Sequence, residues 1–278
     1  MEFDYDDFLD GIGLGKGDVI DVASDLFSIL LYCSEREMDF EPNRLIDAMI
    51  NKVGKEGTIM IRAFTWRFCE GKPFDIRKSK SQVGHLGNVA LKRIDFKRTK
   101  HPIYNWMVYG KYADELASLE NINGVGEDSP FAFLCKHHGK FLILGNIDEN
   151  GDANTIFHYY ENEIGVPYRK EKFFESEYID FEGNKSTRKY SVLVRPKNHD
   201  VCTPVDMLKA WHYHLVEEGL EIESYYDGAI LRRVGDCEEL RKESQEEILV
   251  NDSLSVLLFD GRSGIKASGI DWSDAIYD

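Results

Sequence analysis

The stretch GLGKGDVIDVASDLFSILLYC, residues 13–33, decides the fold class. It opens with Gly13, Gly15 and Gly17, passes through the apolar run VIDVA, and reaches Ser24 and Asp25 before apolar residues resume at helical spacing. Turn, strand and helix follow in that order, with Ser24 and Asp25 where a helix N-cap belongs. A nucleotide-binding glycine loop must follow its strand and open its helix, whereas these glycines precede the strand, so that motif is rejected. What the corner offers is a set of backbone N–H groups at a helix start, where negative charge is stabilised.

The same rhythm continues outward. RLIDAMINKVGKEGTIMIRAFTW (44–66) predicts a helix closed near Gly54 and then a strand through TIMIRAFTW. QVGHLGNVALKR (82–93) predicts a short helix, PIYNWMVYG (102–110) a strand, and SPFAFLCKHHGKFLILGN (129–146) a helix, a turn at Gly139 and a buried strand. The second half changes character: FFESEYIDFEGNKSTRKYSVLVRP (173–196) predicts an antiparallel hairpin, and PVDMLKAWHYHLVEEGL (204–220) a helix. The expected architecture is α/β, a layered α-β-α arrangement with a mixed central sheet and a smaller antiparallel β element in the second half. A single domain over 1–278 is expected, with 170–200 as a hairpin excursion.

Composition narrows the function. The 278 residues are 42% hydrophobic and 30% charged with only 7 Pro, which excludes extensive disorder and fibrous repeats. A net charge of −16 argues against nucleic acid or anionic lipid as a partner. No apolar run approaches a membrane span, and the acidic start MEFDYDDFLDGIG is unlike a secretory signal, so a cytoplasmic protein is expected. Five scattered Cys without a C-x-x-C pair predict free thiols, neither a disulfide framework nor a zinc knuckle.

Charge is unevenly spread. Between Lys72 and Lys100 nine basic residues face only Asp75 and Asp95. A basic segment in an acidic chain suits a small polyanion such as a phosphorylated cofactor, although a solvated basic surface explains it equally.

The segment GNIDENGDANTIFHYYENE (145–163) carries the chemistry: a buried strand ends at Gly145, a polar loop follows, and Asn154 or Thr155 caps a helix bearing His158 and Glu161. At i, i+3 the two side chains share a helix face, and a carboxylate beside an imidazole fixes its tautomer as a general base requires. The loop fails as a calcium site, with Ala153 and Tyr159 where an EF-hand needs Gly and Glu. His158 and Glu161 with His85 or His101 form a metal alternative that no spacing specifies. No local signature supports a Cys nucleophile. His137, His138, His212 and His214 are read as packed or solvated.

Six segments together resemble one family, the aminoglycoside N-acetyltransferases of the antibiotic-acetyltransferase fold, distinct from the GNAT fold. GDVIDVASDL resembles the family's strand and HSSL corner, EGTIMIRAFTW its strand ending in TFT, and FDIRKSKSQVGHLGNVAL its approach to the MGxL helix. HPIYNWMVYG is similar to HPxHSxxxxG, DSPFAFL to DSPxxxL, and NTIFHYYE to NTxLHxxE, all in the family's order. The resemblance implies transfer of an acyl group from acetyl-CoA or another acyl-CoA to a sugar amine, with His158 as base, Glu161 as its orienting partner, and no metal. Cofactor contacts are then expected at Ala23, Ser24, Asp25, Thr65, Arg77, Lys78 and Lys80, with free N–H groups of the Ser24–Asp25 corner as oxyanion donors. Substrate contacts are expected at His101, Tyr104, Asn105 and Trp106.

The departures bear on the acceptor. HPxHS becomes His101, Pro102, Ile103, Tyr104, Asn105, and the HSS corner becomes Ala23, Ser24, Asp25. That change points to a nucleotide-linked amino sugar for surface polysaccharide, with Tyr104 and Trp106 as stacking faces; the alternative acceptor is an aminoglycoside antibiotic. A homodimer is a further expectation, and the rival classes are a metal-dependent hydrolase and a non-catalytic binding protein.

Overall fold

The computed structural model describes residues 2–145, 155–166, 169–195 and 205–250. Its centre is a seven-stranded mixed sheet in the order β4-β5-β2-β1-β6-β10-β9. The parallel heart is β1 (Val19–Ser24) between β2 (Thr58–Arg62) and β6 (Lys140–Leu144). On one side β5 (Trp106–Gly110) pairs antiparallel with β2, and β4 (Lys97–Arg98) with β5. On the other, β10 (Ile230–Asp236) runs antiparallel to β6 and β9 (Glu221–Tyr226).

Alternating side chains along the strands feed two cores, one on each face. Ile20, Val22, Ile59, Ile61, Leu142 and Leu144 point to the first. There they meet α1 (Tyr5–Leu9), α2 (Leu26–Glu35), α3 (Pro42–Val53) and α4 (Leu86–Ala90). Val19, Ala23, Met60, Phe141 and Ile143 point to the second. That face carries α5 (Ala113–Ser118), α6 (Pro130–Lys136), α7 (Phe157–Ile164), α8 (Val205–Glu217) and α9 (Cys237–Val250). The layered α-β-α expectation is met.

A second sheet of three strands joins the second core through Tyr178, Tyr190 and Val192. Its hairpin is β7 (Lys170–Ile179) and β8 (Lys185–Val194), closed through Gly183 at φ +90. The short strand β3 (Phe74–Asp75) pairs parallel with β7, so this element also borrows residues from the first half of the chain.

Local chemistry explains the boundaries. Asp25 caps α2, its carboxylate accepting from Phe27 N and Ser28 N. Gly54 at φ +68 ends α3. Two predicted strands are shorter than their apolar runs. TIMIRAFTW is a regular strand only to Arg62; Ala63 N and Thr65 N still donate to Asn105 O and Ile103 O before Gln82 Oε1 accepts from Trp66 N and Arg67 N at the start of a 3-10 segment, Trp66–Glu70. PIYNWMVYG is a regular strand only from Trp106: Ile103 O and Asn105 O still accept from Thr65 N and Ala63 N, while His101 Nδ1 accepts from Ile103 N and Tyr104 N and bends the chain ahead of the strand.

Candidate functional site

β1 has parallel neighbours on both sides, β2 reached over the face that carries α2 and α3 and β6 over the face that carries α5 and α6, so the carboxyl ends of β1 and β6 form a topological switch point. In open α/β sheets, ligands bind in the crevice at such a point. Four segments meet there: the ends of β1 and β2, the 84–87 stretch and Gly145. A Cβ built on Gly145 would lie 2.4 Å from Asp25 O, one on Gly87 2.4 Å from Arg62 O, and one on Gly84 3.0 Å from Ser24 O. Gly145 also has φ +90, so both its conformation and its surroundings require glycine.

The corner itself differs from expectation. Asp25 N donates to Leu144 O at 2.8 Å, and Phe27 N and Ser28 N donate to the Asp25 carboxylate at 3.0 and 3.2 Å. Three of the amides expected to face a developing oxyanion are therefore already paired, one with the neighbouring strand and two with the carboxylate that Asp25 places at the helix start.

His158 and Glu161 are brought together. Nδ1 of His158 lies 2.9 Å from Glu161 Oε2, and both residues are buried on α7. The helix starts at Phe157 with Ile156 at its N-cap, later than the expected cap; Asn154 and the Asp148, Asn150 and Asp152 loop lie outside the described residues. Glu161 Oε2 is also 3.1 Å from Arg169 Nε, an ion pair that sequence reasoning missed, since a single arginine beyond the helix matches no motif. Around this trio, Asn123 Nδ2 donates to Asn162 Oδ1 at 3.4 Å and Ser191 Oγ donates to Glu171 Oε1 at 2.6 Å.

The four expected substrate residues are placed elsewhere. His101, Tyr104, Asn105 and Trp106 each have 0% exposure. Trp106 Nε1 donates to Asp21 Oδ1 at 2.8 Å, Asn105 Oδ1 accepts from Arg98 Nε at 2.9 Å, and Tyr104 packs edge-on against Phe64 and Phe131. All four are buried, Tyr104 and Trp106 in the second core, so these two present no stacking face. Burial pushes the His101 imidazole down to about 3, against the raising effect of the Ile122 and Ser191 backbones, so it stays neutral and packs beneath the Asn123 loop.

Asp21 and Arg62 were also missed. Arg62 reaches Asp21 through Nε at 3.1 Å and NH2 at 2.7 Å, on the sheet face that carries α7. The available signal was one charge inside each apolar strand, VIDVA and TIMIR.

The basic segment is largely neutralised. Arg77 pairs bidentately with Asp75, Arg93 with Asp47 and Asp95, Lys97 with Asp114, and Lys100 with Glu120; Arg98 is buried. The Arg77 guanidinium lowers the Asp75 carboxyl below its ordinary range. Lys78, 3.5 Å from Asp75 Oδ2, and Lys80 are exposed, which suits them to a phosphate. Ala23 is buried, and Thr65 Oγ1, also buried, donates to Pro102 O.

The rival chemistries find little here. Burial pushes the Cys69 thiol up to about 12 and the Cys135 and Cys237 thiols higher still, far from thiolate nucleophiles. Among the described residues the group able to hold a metal is His138, Asp236 and Glu239, not one containing His158. There Asp236 caps α9 by accepting from Glu238 N and Glu239 N. Also among the described residues, no helix is long and apolar enough to cross a membrane.

The profile of the aminoglycoside 3-N-acetyltransferases matches residues 34–221. The chain belongs to that family. This acetyltransferase has the fold of solved relatives. AAC(3)-Xa superposes with TM-score 0.73 at 20% identity, covering 89% of this chain and 93% of the other. AAC(3)-IIb gives 0.73 at 21%, covering 88% and 94%. AAC-IIIb, solved as a binary complex with CoASH, gives 0.71 at 20%, covering 89% and 95%. A sequence comparison with curated proteins gives no significant match. Acetyl-CoA fits as co-substrate of an acetyltransferase of this family, and the membership favours the aminoglycoside acceptor over the nucleotide-linked sugar expected from the changed strand.

Proposed function

We propose that this protein transfers the acetyl group of acetyl-CoA to an amino group of an aminoglycoside, with His158 as general base. The observation that carries the reading is the buried His158–Glu161 contact at 2.9 Å in a chain of this family. With Glu161 accepting the Nδ1–H, Nε2 is the ring nitrogen that carries the basic lone pair. His158 Nε2 removes the amine proton as nitrogen attacks the thioester carbonyl. The C–N bond forms, the C–S bond breaks, and the departing thiolate takes up a proton to leave as the thiol. The low exposure of the dyad strengthens each electrostatic contact in this step.

The net charge of −16 favours a polycationic acceptor, because it draws cations toward the protein. AAC-VIa, solved with sisomicin bound, superposes with TM-score 0.71 at 17% identity and supports the same substrate class. Lys78 and Lys80 would hold the phosphates of the co-substrate, and Gly84, Gly87 and Gly145 let the backbone segments around the Ser24–Asp25 corner pack in direct contact. Because the Asp25 carboxylate occupies the start of α2, phosphate binding falls to the lysines rather than to that helix.

The test is thiol release from acetyl-CoA with purified protein and two acceptor panels. Aminoglycosides are expected to support release, and nucleotide-linked amino sugars to give the background rate. Release with the second panel alone would overturn the acceptor assignment.

A further inference from the structure

Glu161 Oε2 is shared. His158 Nδ1 lies 2.9 Å from it on one side and Arg169 Nε 3.1 Å on the other, with the arginine side chain largely buried. The dyad comes from α7, whereas Arg169 is held at the start of the β7–β8 hairpin. That hairpin is tied to α7 through the 122–124 loop: Gly124 N donates to Ser191 O, Ser191 N donates to Ile122 O, and Asn123 Nδ2 donates to Asn162 Oδ1 of α7. The arginine therefore reaches the dyad from outside α7.

We propose that Arg169 is a positioning residue that keeps Glu161 an anionic acceptor, so that His158 carries its proton on Nδ1 and presents Nε2 to the acceptor amine. This rests on the acetyl-transfer reading above. A buried carboxyl without a cation favours its neutral form. A neutral Glu161 can donate to Nδ1, and the imidazole then takes the opposite tautomer, with its proton on Nε2 and no lone pair toward the amine. The guanidinium closes that alternative. The nearby Glu163 does not compete for it, since Arg241 and Gln245 of α9 already hold it at 3.3 and 2.8 Å.

The experiment combines kinetics with ¹⁵N NMR of histidine-labelled protein, the His158 signals being assigned by their loss in His158→Ala. Wild type is expected to show His158 protonated on Nδ1. Arg169→Met is expected to shift that pattern toward Nε2–H and to lower kcat about tenfold or more at unchanged KM for acetyl-CoA. Arg169→Lys, which keeps a cation, is expected to retain the wild-type pattern and most of the rate. A Met variant with wild-type rate and tautomer overturns the proposal, as does one that slows with the His158 pattern unchanged. If the Met variant does not fold, the wild-type spectrum decides, and a His158 protonated on Nε2 overturns the proposal. Failure of the acetyl-transfer reading would look different: no thiol release by wild type with any aminoglycoside, while the tautomer result stands by itself.

Discussion

Asp21 and Arg62, on adjacent parallel strands, form a buried ion pair with NH2 to Oδ2 at 2.7 Å and the carboxylate wholly shielded from solvent. Trp106 Nε1 donates to the same carboxylate, so three strands of the central sheet meet at one charge beneath the site. Removing one partner strands the other in a low-dielectric interior. Asp21→Ala and Arg62→Ala are each expected to cost about 3–5 kcal/mol in denaturant unfolding. The double replacement Asp21→Leu with Arg62→Met is expected to cost much less than the sum, because no unpaired charge is left. Additive losses would show that the pair is not coupled.

Gly145 gives a second test, since an added Cβ would lie 2.4 Å from Asp25 O on a backbone at φ +90. Gly145→Ala is expected to lower stability by about 1–3 kcal/mol and to displace the corner at the mouth of the crevice. Because small misplacements near reacting groups cost rate steeply, kcat/KM is expected to fall about a hundredfold in protein that remains folded. Unchanged kinetics would separate this crevice from the chemistry.

Much of this was legible in the sequence. The strand-to-helix corner at Ser24–Asp25, the Gly54 stop, the hairpin and the His158–Glu161 face follow from periodicity and capping, which act over a few residues. What could not be read depends on contacts between distant segments. The apparent basic patch dissolves when Asp47, Asp114 and Glu120 arrive from elsewhere in the chain, and Arg169 reaches Glu161 from beyond the end of α7, where helical spacing predicts no contact. The aromatic strand at 104–106 reads equally well as a recognition face or as core, and the packing of Phe64 and Phe131 against it decides for core.

His101 gives a pH dependence whose sign is fixed by its burial. Its imidazole falls from the ordinary 6.5 to about 3 in the folded protein, so the unfolded chain binds the extra proton first. Stability from this group is present above pH 6.5 and is lost as pH falls toward 3, at up to about 1.4 kcal/mol per pH unit. His101→Gln is expected to flatten the slope of unfolding free energy between pH 6 and 4 relative to wild type. An identical slope in both would show that other groups dominate it.

The exposed lysines report on the co-substrate. Lys78→Ala with Lys80→Ala is expected to raise KM for acetyl-CoA about fivefold for each phosphate left without its lysine, with kcat little changed and the effect shrinking as salt is added. A KM equal to that of wild type at low salt would remove these residues from the phosphate site.

The most direct test is the kcat of His158→Ala for thiol release from acetyl-CoA with a saturating aminoglycoside, in protein whose unfolding midpoint matches wild type. A fall of about 10²- to 10⁴-fold at unchanged KM for acetyl-CoA is the expected result. Turnover at the wild-type rate would contradict the assignment of His158 as the base.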